Sequence, residues 1–437
     1  MKWSMFIMKT ELCNSSILYN TINDGMVEIS NAELNNICRY LSNYEELDEQ
    51  YKNDWADLIE GEFIVDTDID EKKSYLDRLK TDYQEMDQMP LIIITTTGCN
   101  FNCPYCYEDG IERSYSFTME KCERLLEYLS NYLLAHPNIK RVLITFYGGE
   151  PTINFAAIRY LLPRIKKILE NKEIEYDTSI VTNGYLLDDN VAEFLSKFNW
   201  VNAQITLDGT EDVHNSRRYL RDGSGTFRRI INNIKNIITK EYLSGVNIRL
   251  NIDESNCDSI LHLLDYLKNE IDISRIYLSL GLITKTVNNN TNVNFINKHQ
   301  ISKDSYSQFA NVFVYAKKLG FQLFDYYFND GLCMAKNPYT LAVSADGDIY
   351  KCVSLIGRNG FSSSSIFSAD YSECSYLDYS SYEYCFRKKC PLIPACNCGC
   401  AFQALINNGS INETYCEFEK VKIINEIIQR RLHGEEI

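Results

Sequence analysis

Three features of this sequence predict an α/β protein built on a mainly parallel sheet, with a small α+β unit before it and a cysteine-rich unit after it. Between Leu91 and Leu280, short apolar segments alternate with amphipathic helical ones. Ahead of Pro90 the pattern is a hairpin followed by helices, and beyond Gly331 apolar periodicity gives way to Cys, Ser and Tyr. Strands alternating with helices imply parallel pairing through crossovers, in a sheet either open or curved into part of a barrel.

Residues 1–90 open on MKWSMFIMKTE, where Lys9 interrupts the apolar stretch before it reaches the length of a signal-peptide core. A hairpin is predicted across ILYNTINDGMVEIS, with Asn23, Asp24 and Gly25 at its turn because these residues tolerate the backbone that tight turns need. Helical spacing runs from Asn31 to Leu58, and a short strand from Phe63 to Asp66 closes the unit. An acidic stretch then leads through a helix to Pro90, a boundary.

Residues 91–320 carry the alternation. Strands are predicted from Leu91 to Thr96, Arg141 to Phe146, Asp177 to Val181, Asn202 to Leu207, Val246 to Ile252 and Arg275 to Leu280. Helices are predicted from Thr118 to Ala135, Phe155 to Asn171, Asp188 to Phe198, Phe227 to Lys240 and Asp258 to Asn269. In such sheets chemistry sits at the C-terminal strand ends. Residues 321–437 lack the apolar inventory of a large core and need a cross-linker, and a terminal amphipathic helix is expected from Glu417 to Leu432.

The chain has 437 residues, with 44 basic and 60 acidic side chains for a net charge of −16. That balance disfavours a nonspecific grip on nucleic acid or an anionic membrane. No apolar run approaches the ~20 residues that span a bilayer, and a cytoplasmic location is expected. In a reducing compartment 16 cysteines point to metal and not to disulfides. Cys13, Cys38, Cys122 and Cys257 stand singly and read as small buried hydrophobes; the other twelve fall in two groups.

The first group follows the first strand of the alternating region. TTTGCNFNCPYCYE places Cys99, Cys103 and Cys106 in a C-x3-C-x2-C loop at a strand's C-terminal end. Three thiolates on a [4Fe-4S] cluster leave one iron open for a substrate or cofactor. A zinc site would need a further ligand, and no histidine is near in sequence. With Tyr105 as the aromatic residue, this loop resembles that of the radical S-adenosylmethionine superfamily. YGGEP at Tyr147 to Pro151, VTNG at Val181 to Gly184 and LDGTEDVHNSRR from Leu207 to Arg218 end the next three strands in the family's order. GSGTF, Gly223 to Phe227, is similar to the branch that modifies peptides and proteins.

The resemblance implies a partial (β/α)6 TIM-like barrel over residues 91–320. It implies S-adenosylmethionine bound through its methionine amino and carboxylate groups to the open iron. Gly148 and Gly149 would let backbone approach the amino group, where a Cβ would intrude. Tyr105 is expected near the adenine, Asn183 near the ribose and Arg218 near the carboxylate; Glu150 either touches the cofactor or orders the loop. Reductive cleavage would give a 5'-deoxyadenosyl radical that abstracts a hydrogen atom, with a flavodoxin- or ferredoxin-type protein as electron donor. The hard chemistry belongs to the cofactor.

The second group runs Cys333-x13-Gly347-x4-Cys352, then Cys390-x5-Cys396-x3-Cys400 and Cys416. It resembles the SPASM extension, in which seven cysteines hold up to two auxiliary iron-sulfur clusters. Two departures stand out: Cys385 precedes Cys390 by x4 where the family has C-x2-C, and Cys398 is an extra cysteine inside the x3 spacer. The resemblance assigns Cys333, Cys352 and Cys400 to the first auxiliary cluster and Cys385, Cys390, Cys396 and Cys416 to the second. Cys374 and Cys398 are left over. A pair of four-thiolate zinc sites is the alternative.

These readings converge on a maturase of ribosomally made peptides that cross-links its precursor, through a thioether or a carbon-carbon bond. Residues 1–90 are similar to winged-helix-like domains that bind a leader peptide by adding it as a strand. An anaerobic sulfatase-maturing enzyme, which converts Cys or Ser to formylglycine, is the second reading. A noncatalytic iron-sulfur protein would have no use for the nucleotide-binding loops.

Overall fold

The computed structural model describes residues 1–46, 49–106, 108, 111–283, 303–323, 333–372 and 379–416. The helix expected from Glu417 and the leftover Cys374 lie outside the described residues. The chain divides into two compact units.

The first unit joins residues 1–85 to the described residues of 325–333 and 378–434. Short strands β1 (Lys2–Trp3), β2 (Ile7–Glu11), β3 (Ser15–Asn20), β4 (Met26–Ser30) and β5 (Ile64–Val65) belong to it. The expected hairpin is β3–β4, closed by Asp24 at φ +60° and by Asn23 Oδ1 accepting from the Gly25 N–H at 3.0 Å. Sequence reading missed β2, which pairs antiparallel with β3 in register Lys9 to Leu18. The helix Asn31–Tyr40 starts where the Ser30 side chain accepts from the Glu33 N–H, and it buries Leu34 and Ile37 against Leu18, Ile29 and Trp55. Cys38 points away from that core and Cys13 sits between β2 and β3. Both are exposed, contrary to expectation, whereas Cys122 and Cys257 are buried.

Phe6, Tyr75, Tyr382 and Phe386 form one aromatic cluster of this unit, with ring centroids 5.6–6.5 Å apart. Tyr75 comes from the helix Glu71–Gln84, Tyr382 and Phe386 from the helix Tyr379–Arg387. The N-terminal residues thus share a core with the cysteine-rich segment.

The second unit is built on a ten-stranded sheet. Its strands are β6 (Gln88–Thr96), β7 (Arg141–Gly148), β8 (Glu175–Thr182), β9 (Trp200–Leu207), β10 (Val246–Ile252), β11 (Ile276–Leu282), β12 (Gln322–Leu323), β13 (Leu341–Val343), β14 (Asp348–Tyr350) and β15 (Ser364–Ser365). From β6 to β12 all neighbours are parallel and follow chain order. Six of these strands were expected; β12, entered from the helix Lys303–Leu319, is a seventh. One face is apolar, with Ile144, Ile180, Ile205, Ile248 and Leu278 at 0% exposure under helices such as Phe227–Thr239, whose Ile230, Ile234 and Ile237 recur at helical spacing. Residues of alternate parity, Thr145, Ser179, Gln204 and Arg249, make the other face polar.

β6 starts three residues before its expected start, with Pro90 inside it. Proline is tolerated because β13 pairs with β6 only from Leu91 onward and asks nothing of residue 90. β13 joins β6 in parallel and turns through Asp346-Gly347 into β14. Gly347 has φ +107°, which a hairpin turn of this kind reserves for glycine.

Candidate active site

The cysteine loop leaves the C-terminal end of β6 and is pinned from both sides. Phe101 and Leu220 form an antiparallel bridge, the Asn102 N–H donates to Tyr219 O at 3.0 Å and the Arg221 N–H to Asn100 O at 3.2 Å. Cys103 and Cys106 are drawn into one turn by the Cys106 N–H donating to Cys103 O at 3.2 Å. Cys99, Cys103 and Cys106 line one cavity of about 480 Å³ with Phe101, Arg113 and Arg221.

Burial pushes the Cys99 thiol up to about 12 and the Cys103 thiol up to about 11, and each feels the charge of its neighbouring cysteines. Burial raises Cys106 as well. Such thiols stay protonated at neutral pH until a metal takes the proton's place. Although the three share a cavity, no three Cys, His, Asp or Glu side chains among the described residues close on one ion. Three thiols, with no His, Asp or Glu among the described side chains that line the cavity with them, fit an iron-sulfur cluster, in which each cysteine binds its own iron.

The glycine turn at the end of β7 lies across the start of this loop. The Gly149 N–H donates to Thr96 O at 3.1 Å and the Glu150 N–H to Gly98 O at 2.9 Å. A Cβ on Gly148 would stand 2.3 Å from Thr96 O, and one on Gly149 2.4 Å from Gly98 O. Backbone packing demands both glycines before any ligand does. Glu150 is fully buried, and its carboxylate accepts from the Thr152 N–H and hydroxyl, from Thr182 Oγ1 at 2.7 Å and from the Asn183 N–H at 2.7 Å. Burial raises its pKa while these donors pull it down. Glu150 therefore ties the ends of β7 and β8 together.

Asn183, at the end of β8, donates from Nδ2 to Asn100 Oδ1 at 2.8 Å and lies 3.9 Å from Cys99 Sγ. Tyr105 and Arg218, separated by 113 positions, meet in the interior: Arg218 Nη1 donates to the Tyr105 hydroxyl at 2.7 Å, and that hydroxyl donates to Asp208. Arg217 bridges Asp208 at 3.4 Å and Asp253 at 2.8 Å, with its guanidinium 5.3 Å from the centre of the Tyr105 ring. Among the described residues Arg218 Nε and Asp208 Oδ1 are buried without a hydrogen-bond partner. An orphaned guanidinium nitrogen beside the thiols is a donor suited to a carboxylate.

Sequence reasoning quoted Asp208, His214 and Arg217 within the stretch from Leu207 to Arg218 without giving them roles, and it missed Asp253. Their signal was an acidic residue directly after β9 and after β10, where active groups of parallel sheets gather.

In the first unit, Cys385 ends up near Cys390 and Cys416. Burial raises Cys390, and the charges of Cys385 and Cys416 add to that. Asn397, Cys398 and Gly399 have φ of +50°, +61° and +93°, and a Cβ on Gly399 would meet Tyr415 O at 2.1 Å. The chain around Cys396 and Cys400 thereby wraps the backbone next to Cys416. Cys398 is buried, Cys333 and Cys416 are exposed, and Cys352 follows β14 in the second unit.

Residues 93–267 match the Radical SAM superfamily. Over 291 residues, 60% of this chain and 60% of the relative, the sequence is 28% identical to the radical SAM cyclopropyl synthase TigE of Paramaledivibacter caminithermalis. Over 368 residues, 75% of this chain and 92% of the relative, it is 23% identical to a cysteine-type anaerobic sulfatase-maturating enzyme of Clostridium novyi. The fold is similar to Streptococcus suis SuiB bound to the precursor peptide SuiA, with a TM-score of 0.51 and 17% identity over 95% of this chain and 99% of that one. By these matches residues 93–267 form a radical SAM domain.

Proposed function

We propose that this radical SAM enzyme matures a ribosomally made peptide, installing an intramolecular cross-link in a precursor. A thioether from a cysteine sulfur is the favoured bond, with a carbon-carbon bond the other option. The observation that carries the reading is the cavity shared by Cys99, Cys103 and Cys106 beside the buried Arg218 with its open Nε. Bound S-adenosylmethionine and a [4Fe-4S] cluster would supply the 5'-deoxyadenosyl radical that takes a hydrogen atom from the substrate. Cys99, Cys103 and Cys106 would hold the cluster, Arg218 would take the methionine carboxylate, Gly148 and Gly149 would let the amino group approach, and Asn183 would meet the ribose. Tyr105 and Asp208 restrain Arg218, and Glu150 orders the loop.

Around this core, residues 91–320 curve into a partial (β/α)6 barrel, and two auxiliary clusters sit in the cysteine-rich region. Cys385, Cys390, Cys396 and Cys416 hold the second of them. The small sheet β2–β3–β4 receives a leader peptide at an open edge, a mode of recognition carried by main-chain hydrogen bonds. A flavodoxin- or ferredoxin-type protein delivers the electron. The similarity to a precursor-bound structure supports the peptide substrate. Among the described residues no helix is long and apolar enough to cross a membrane.

The extent of the match to the Clostridium novyi enzyme favours a second reading, formylglycine formation on a sulfatase. Anaerobic incubation with each short peptide encoded beside the gene, followed by mass spectrometry, separates the two. The proposal expects a precursor that loses two hydrogens, with a cysteine that no longer alkylates where the bond is a thioether. An untouched precursor, together with an aldehyde formed on a sulfatase peptide, would establish the alternative. Replacing Cys99, Cys103 and Cys106 together by Ala should abolish 5'-deoxyadenosine production; its persistence would refute the site.

A further inference from the structure

Two cations line the cavity of the cysteine loop, Arg113 and Arg221, and cluster binding gives neither a task. Arg113 Nη2 lies 3.5 Å from Cys106 Sγ. Backbone builds this contact: the Thr97 N–H donates to Tyr115 O at 3.0 Å, the Phe117 N–H to Thr95 O at 2.9 Å, and Thr96 and Ser116 form an antiparallel bridge. The segment that follows Arg113 is thus fastened to the end of β6, which leads into Cys99. Among the described residues the donors to Cys99 Sγ are neutral, in contrast, the Phe101 N–H at 3.4 Å and Asn183 Nδ2 at 3.9 Å. The other charges nearby are Glu150 beside Cys99, Glu108 beside Cys106, and Arg218 and Asp208 beside Cys103.

We propose that Arg113 is a positioning residue that raises the reduction potential of the cluster held by Cys99, Cys103 and Cys106, by donating a charge-assisted hydrogen bond to the Cys106 thiolate. Hydrogen bonds to the sulfurs and local charge are the means by which a protein sets such potentials. Reduction adds one electron from an external low-potential donor and no proton, so the cluster becomes one unit more negative. A fixed guanidinium at its edge stabilises that form more than the oxidised one, which makes the electron easier to accept.

The inference rests on the cluster assignment, and its test keeps the two apart. The anaerobically reconstituted full-length protein is titrated with dithionite, and the reduced cluster is followed by electron paramagnetic resonance. The variant with Cys99, Cys103 and Cys106 replaced by Ala supplies the background of any other clusters. Arg113→Gln should move the midpoint to more negative potential, so that the reduced fraction at a fixed poise falls severalfold. Arg113→Lys keeps the charge without the fork and should shift less, in the same direction. Arg221→Gln removes a cation from the same cavity and should shift less than Arg113→Gln.

An unchanged or more positive midpoint in Arg113→Gln overturns the proposal, as does an equal shift in Arg221→Gln. Where Arg113→Gln fails to keep its cluster, Arg113→Lys decides, a negative shift supporting the proposal and no shift overturning it. Failure of the cluster assignment looks different: the wild type would show no signal that the triple alanine variant lacks.

Discussion

His214 is a buried base that must stay neutral. Its Nδ1 accepts from the Asp208 N–H at 3.4 Å, and its Nε2 faces Thr226 Oγ1 at 3.1 Å, a hydroxyl that itself donates to Arg218 O at 2.6 Å. With that hydroxyl proton already used, Nε2 carries the hydrogen and Nδ1 does not. Burial depresses its pKa well below the ordinary 6.5, and the charges of Arg218 and Arg217 push the same way. The folded state then refuses a proton that the unfolded chain accepts, so stability is complete above the unfolded pKa of about 6.5 and falls by up to about 1.4 kcal/mol per pH unit below it. Denaturation midpoints from pH 7 to 5.5 should therefore decline less steeply in His214→Gln than in wild type; equal slopes would place the acid sensitivity elsewhere. The cysteine triplet was legible at this scale because its residues lie within eight positions, and local spacing is what a sequence displays. The Tyr105–Asp208 hydrogen bond joins residues 103 positions apart, and no local pattern announces it.

Among elements, the strands and helices of the alternating region were legible because apolar period follows directly from which face is buried. β13 was not: three residues are too few to show a period, and only Asp346-Gly347 between apolar pairs hinted at the hairpin. At the turn after β7, sequence reasoning expected glycine for the sake of the ligand, while the structure requires it for backbone crossing backbone. Gly149→Ala should consequently lower the thermal midpoint even without cofactor, since its Cβ would press on Gly98 O and Thr97 O at 2.4 and 2.6 Å, atoms that no rotamer change can move. Gly223→Ala is the control: it has φ +86° but nothing within 4 Å, so only backbone strain of about 1–2 kcal/mol remains. If the two variants melt alike, close approach at Gly149 is not what that position serves.

For the molecule as a whole, the aromatic cluster of Phe6, Tyr75, Tyr382 and Phe386 makes the N-terminal residues part of the cysteine-rich segment's core, and Cys390 and Cys396 pack against Met8, Ile17 and Tyr19 of the small sheet. Tyr75→Ala should open a cavity costing roughly 3 kcal/mol. It should lower the iron of the reconstituted protein by about four per chain, one cluster's worth, while S-adenosylmethionine cleavage without substrate continues. Full iron content in that variant would show that the cysteine-rich segment holds its metal without this core. The sequence by itself determined the α/β alternation, the strand-end placement of the cysteine loop and the radical SAM domain, because period and short-range spacing are properties of neighbouring residues. Only the tertiary structure decided that Arg218 meets Tyr105, that β13 extends the core sheet beyond β6, and that residues 1–85 pack with the cysteine-rich segment. Each of these joins residues far apart in the chain through burial and hydrogen bonding, and such pairings exist only once the chain has closed on itself.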